Sequence, residues 1–152
     1  MNLVKHVMEH KLSEYGKVLD WWLTDDKFRS WDSTDVTCFT KKLHRLEGFS
    51  EDNDLHYGAA KNMKFPKKAA RFPQIWIGNG NSEGRDWVRH IRNGIAHGNT
   101  TVRKIKDEYV VEMIDFHTDG KTQTAYILMP LYYLMAIMNC YIEVEKKKRK
   151  KR

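Results

Sequence analysis

Cysteine and proline are scarce in this chain, with two and three residues among 152, and no stretch holds the roughly 20 consecutive apolar residues that cross a bilayer. Cys38 and Cys140 stand too far apart for zinc-knuckle spacing, and an intracellular protein keeps such a lone pair as buried thiols rather than a disulfide. His6, His10, His44, His56 and His117 show no ligand spacing with cysteines or carboxylates, so neither a metal nor another cofactor is expected. At the N-terminus Glu9 and His10 fall where a secretory leader would be apolar, which points to a cytoplasmic protein with no membrane partner. Bulky core material is plentiful: five Trp, seven Tyr and six Phe. Trp21, Trp22 and Trp87 fall on or beside apolar stripes and read as core rather than as base-stacking platforms. A chain of this length forms one domain burying roughly two thirds of its unfolded surface, and residues 1–145 are taken as that domain.

The formal net charge of +7 sits entirely in the last seven residues, Lys146 to Arg152, all of them basic; the rest carries twenty basic and twenty acidic residues. Like charges at a chain end repel one another, so residues 146–152 are expected to be a frayed, solvated tail. The same run could act as an electrostatic arm for RNA, with Lys147 and Arg149 as phosphate-contacting residues, or as a nuclear-targeting signal. Composition alone does not separate these.

Apolar residues from Leu3 through Leu12, Tyr15, Leu19 and Trp22 recur at spacings of three and four, an amphipathic helix ending before Thr24-Asp25-Asp26. Ser33-Thr34-Asp35 offers helix-start chemistry, and Val36, Phe39, Leu43 and Leu46 form one stripe before Gly48. Ser50 can cap a short helical run through Leu55, Ala59 and Met63, and Pro66 and Pro73 bracket a basic, irregular stretch. Gln74 to Ile77 is strand-like but short. Gly78 to Ser82 is turn material, with Ser82 placed to cap a helix over 83–97. Beyond that helix the period changes to two through Val102, Ile105, Tyr109 to Phe116 and Thr122 to Leu128. Asp119-Gly120 between the β-rich runs signals a hairpin, so a small antiparallel sheet of two or three strands is expected. Pro130 introduces the last helix, with Leu131, Leu134, Met135, Met138 and Ile142 on its core face.

The segment Arg92-Asn93-Gly94-Ile95-Ala96-His97 brings a permanent cation, an amide and an imidazole within six residues. A guanidinium holds phosphate oxygens in a planar fork, and an imidazole with an ordinary pKa of about 6.5 moves protons near neutrality. The motif therefore indicates phosphate chemistry. Trp87, Val88, Ile91 and Ile95 share an apolar arc, while His90, Asn93 and His97 share a polar face. Gly98 is placed to stop the helix in a left-handed conformation. Arg92 and His97 lie about 140° apart around an ideal helix, so the helix distorts at Gly94 or a second copy of the chain completes the site. Plainer readings stand beside this one: Arg92 as an interhelix salt-bridge partner for Glu83, Asp86 or an acid elsewhere, His97 as a C-terminal cap, and Arg89 and His90 as surface residues that come near enough to touch substrate.

His90 to Asn99, followed by a β hairpin and a closing helix, resembles the HEPN superfamily (higher eukaryotes and prokaryotes nucleotide-binding), whose hallmark is Arg, a polar residue, several variable positions and His. Arg92, Asn93 and His97 match it, and the wording around them is similar to plasmid- and defence-associated bacterial members. The resemblance covers roughly residues 82 to 145. It implies a mainly α fold, a HEPN-like helical bundle with a small antiparallel hairpin or meander between the motif helix and the C-terminal helix. It also implies a homodimer in which two motifs face one another in a cleft, acting as a metal-independent endoribonuclease. On that reading His97 serves as general base or acid, Arg92 stabilises charge on the phosphoryl oxygens and Asn93 orients one of them. The role implied is that of a toxin or antiphage effector, restrained by a separately encoded antitoxin or regulatory protein. Two alternatives stand beside it: a catalytically silent HEPN module that binds RNA, nucleotide or protein, and a DNA-binding regulator that uses its tail.

Overall fold

A computed structural model describes residues 15–66, 70–78 and 83–150; the expected helix start near Leu3 and the Ser82 cap lie outside them. The helices are α1 (Tyr15–Thr24), α2 (Ser33–His44), α3 (Glu83–Ala96) and α4 (Leu131–Lys150), with a single helical turn at Phe49–Asp52. The strands are β1 (Asp54–Gly58), β2 (Gln74–Gly78), β3 (Thr100–Ile105), β4 (Glu108–Phe116) and β5 (Gln123–Pro130). They form one mixed sheet in the order β1-β2-β5-β4-β3, parallel only between β1 and β2. The architecture is therefore α/β, helices packed on a five-stranded sheet, and not the expected mainly helical bundle with an appended hairpin.

The reason lies in β5. From Thr124 to Pro130 every residue is buried, with Ile127 and Met129 in the core shared with the helices and Tyr126 and Leu128 in a second core on the opposite face. A strand apolar on both faces belongs at the centre of a sheet covered on both sides, and β2 fills the edge that a lone hairpin would leave open. Ile75 and Ile77 of β2 join the helix-side core, while Trp76 packs on the other side. That second face is covered by the stretch before β2. Phe65 and Ala70 pack there, Ala70 N–H donates to the Tyr126 hydroxyl at 3.2 Å, and Arg103 donates to the Ala70 carbonyl at 2.6 Å.

Where Leu55, Ala59 and Met63 suggest a helix, the chain makes one helical turn, strand β1 and a 3-10 turn at Ala60–Asn62. Parallel pairing of Leu55 with Ile75 and of Tyr57 with Ile77 overrides the local period. Gly78 ends β2 in a crowded position: an added Cβ would lie 2.6 Å from the Thr124 carbonyl oxygen and 2.8 Å from the Ala60 Cβ. Because backbone cannot swing aside, Gly78→Ala should destabilise the protein by about 1–3 kcal/mol, read as a lowered midpoint in thermal denaturation; an unchanged midpoint would count against this packing.

Asp-Gly does open the β4–β5 turn, with Gly120 at φ +70°. Asp119 accepts the backbone N–H groups of Thr122 (2.9 Å) and Lys121 (2.8 Å) and the Thr122 hydroxyl (2.8 Å), and these donors hold its carboxyl down at about 2. A depressed carboxyl stabilises the fold fully above its unfolded value near 3.8 and loses that contribution as pH falls towards 2. Chemical-shift titration should place the Asp119 transition near the lower value, and Asp119→Asn should remove the corresponding step from the acid-unfolding curve.

In α4, Leu131 through Ile137 are all buried, and Cys140, Tyr141 and Val144 continue the inner face. The helix runs on to Lys150, through the stretch expected to fray from residue 146. One cation of that stretch is paired, Lys148 lying 3.4 Å from Asp35 and 3.9 Å from Glu145, and α4 is tied to α2 by Lys42 and Glu143 at 3.0 Å. The Tyr141 hydroxyl accepts from the Phe28 N–H at 2.7 Å and donates to Asp25, while its ring meets Trp21, Trp22 and Trp31. This cluster anchors the C-terminal end of α1 and thereby the floor of the motif. Among the described residues no helix is long and apolar enough to cross a membrane.

Candidate functional site

The motif helix α3 has its apolar arc where the sequence puts it: Trp87, Val88, Ile91 and Ile95 are buried. Its end is a Schellman motif, in which Asn99 N–H donates to the Gly94 carbonyl (2.9 Å) and Gly98 N–H to that of Ile95 (3.1 Å), with Gly98 at φ +73°. His97 is the C-cap. Its backbone N–H bonds the Asn93 carbonyl at 3.0 Å, and its ring is exposed, without a hydrogen bond to any described residue. The helix does not distort at Gly94. That glycine lets α3 lie against β4, since a Cβ there would come within 3.3 Å of the Met113 Cβ.

Arg92 meets no acid among the described residues. Its Nε donates to the Trp22 carbonyl at 2.9 Å and its Nη2 to that of Leu23 at 3.3 Å, and the guanidinium lies 5.3 Å from the centre of the Phe28 ring. Those carbonyls belong to the last turn of α1, where they have no partner within the helix and the macrodipole favours a cation. In place of the suggested salt bridge to Asp86, which pairs with Arg89 instead, Arg92 makes an inter-helix cap; the Glu83 side chain lies outside the described set. The remaining Nη1 makes no hydrogen bond to a described residue.

The polar face of α3 does not face solvent along its length. His90 is 0% exposed, with Nδ1 2.7 Å from Asp115 Oδ2 and Nε2 3.2 Å from the Gly78 carbonyl oxygen. Nε2 thus lies between a carbonyl, which only accepts, and the Arg89 guanidinium, which only donates, while Nδ1 faces the Asp115 carboxylate. Asn93 Nδ2 donates to the same Oδ2 at 3.4 Å. Arg89 pairs with Asp86 at 3.0 Å, and its Nη2 lies 3.4 Å from His90 Nε2. His90 is therefore an internal link between helix and sheet rather than the surface residue the wheel suggests, whereas Arg89 retains a partly exposed side chain. Lys147 is exposed on α4, far along the chain from the motif; the Arg149 side chain lies outside the described set.

Asp115 is the residue that sequence reasoning passed over. It is 2% exposed, and its Oδ1 has no hydrogen-bond partner among the described residues. A signal for it existed: Val111, Met113 and Asp115 share one face of β4, so an acid falls at a core-facing position and calls for a buried partner. Asn93 and His90 supply it from α3. The structure thus brings Asn93, His90 and Asp115 together, points Arg92 towards α1 and leaves His97 at the open end of the helix. Among the described residues no group of three or more His, Cys, Asp or Glu side chains could hold a metal ion.

No curated protein and no solved structure matches the chain. The family model described as HEPN pEK499 p136 matches residues 3–152. With that match running almost from end to end, and with the Arg92, Asn93 and His97 motif seated on one helix, the chain belongs to the HEPN pEK499 p136 family, a HEPN-type domain whose membership suggests a nuclease or other RNA-related function.

Proposed function

We propose that the protein is a metal-independent endoribonuclease acting as a homodimer in the cytoplasm. The observation that carries this reading is the exposed His97 imidazole on a rigid helix stop, within one motif with Asn93 and Arg92. His97 takes the proton of a ribose 2′-OH, or protonates the departing 5′-oxygen, while attack on the adjacent phosphorus leaves a 2′,3′-cyclic phosphate and a 5′-hydroxyl. Arg92 stabilises the charge on the phosphoryl oxygens through the nitrogen not committed to α1, and Asn93, steadied by Asp115, orients the phosphate. The straight path of α3 through Gly94 keeps Arg92 and His97 of one chain on different sides, which favours completion of the site by a second copy. A toxin or antiphage effector restrained by a separately encoded protein is the role that suits such an activity.

Purified protein in EDTA should cut single-stranded RNA to products with cyclic phosphate ends and leave the matching DNA intact. Intact RNA, a requirement for a divalent metal, or products with free 3′-hydroxyl ends would overturn the proposal. One observation favours a second reading, a silent module that binds RNA or a partner: two of the three Arg92 nitrogens are already engaged with α1. That reading expects RNA to be bound and recovered whole.

A further inference from the structure

Between α2 and the distal part of α4 lies a groove of about 510 Å³, lined by Lys41 and Lys42 of α2, Arg45 at its C-cap, Lys147 of α4 and the hydroxyl residues Ser33 and Thr37. We infer that this groove is a binding track for the phosphodiester backbone of an RNA strand, separate from the Arg92 and His97 motif. The inference rests on the RNA-directed reading above, but not on catalysis.

The charges decide it. Lys42 is neutralised by Glu143, and Lys148 at the groove's edge by Asp35 and Glu145. Lys41, Arg45 and Lys147 have no acidic partner among the described residues, and all three are exposed. Lys41 and Arg45, four residues apart, stand one turn apart on the same side of α2, and Lys147 faces the groove from the other wall. Uncompensated cations on two opposed walls fit a polyanionic strand lying between helices; a flat bilayer cannot enter such a cleft. Among the described residues no aromatic side chain lines it, so the recognition offered is of phosphates, indifferent to sequence. The basic end of α4 is thereby part of a built surface: its helical continuation past residue 145 is what places Lys147 opposite Lys41 and Arg45.

The test is fluorescence anisotropy of a short labelled single-stranded RNA, titrated at several salt concentrations with His97→Ala protein so that none is cut. Adding Lys41→Gln, Arg45→Gln and Lys147→Gln should weaken binding by about tenfold or more and reduce the log–log salt slope by about 2, at roughly 0.7 for each phosphate that is no longer neutralised. A control with Lys17→Gln, Lys61→Gln and Lys121→Gln removes the same charge elsewhere and should leave the slope unchanged. Unlabelled DNA of the same length should compete. The groove assignment is overturned if the first triple binds RNA as the parent does, if the control triple weakens it equally, or if the first triple loses affinity only for phosphatidylserine vesicles. Wild-type protein that leaves RNA whole while the slope still falls by about 2 would refute the nuclease reading and keep the groove. Active wild-type protein with an indifferent first triple would do the reverse.

Discussion

His97→Ala is expected to reduce RNA cutting by about a thousandfold, equivalent to roughly 4 kcal/mol of transition-state stabilisation, within the range for loss of a positioned general acid or base. The fold should be untouched. His97 is exposed, its ring has no described partner, and the backbone bond to the Asn93 carbonyl survives the substitution, so stability should move by less than about 0.5 kcal/mol. Arg92→Ala should differ in kind. It removes the charge needed on the phosphoryl oxygens and also uncaps the Trp22 and Leu23 carbonyls, adding a stability loss of about 1–2 kcal/mol. Arg92→Lys keeps a cation but not the fork that reaches two carbonyls at once, so it should recover part of the stability and little of the activity. Parallel rates and melting curves on these variants check both points; equal cutting by His97→Ala and wild type would remove the histidine from the mechanism.

The largest stability effect is expected at Asp115. Alanine there strips the Nδ1 partner from a fully buried histidine and the amide partner from Asn93. Leaving a buried donor or acceptor without its partner costs about 1–3 kcal/mol for each group, and at this chain length each kcal/mol lowers the melting midpoint by roughly 2–4 °C. Asp115→Asn keeps the shape and one hydrogen bond, so its loss should be smaller. The double variant His90→Ala with Asp115→Ala should lose less than the sum of the two single losses. Strict additivity in that cycle would show that the two groups act separately.

The motif helix, its apolar arc and its glycine stop were legible because they are local: the 3.6-residue period and the αL preference of glycine act within a few residues. The β4–β5 turn was legible for the same reason, through Asp119 and Gly120. The parallel β1–β2 pair was not, since Leu55 meets Ile75 across an intervening stretch and the spacing of Leu55, Ala59 and Met63 imitates a helix. The candidate site divides the same way. Arg92, Asn93 and His97 stand out as residue types at a spacing, whereas the engagement of Arg92 with α1, the burial of His90 and the basic groove of Lys41 and Arg45 depend on which element lies opposite.

By itself, then, the chain's order of residues determined which segments can be helices and strands, and which chemical groups cluster at residues 92–97. Only the tertiary structure decided that the strands make a five-membered sheet rather than an appendix to a helical bundle. It also decided that His90, on the polar face of α3, is spent inside the protein. The physical reason is that burial and pairing are properties of two surfaces together: β5 is apolar on both faces, so it draws a strand to its free edge, and Asp115 on β4 turns His90 inward.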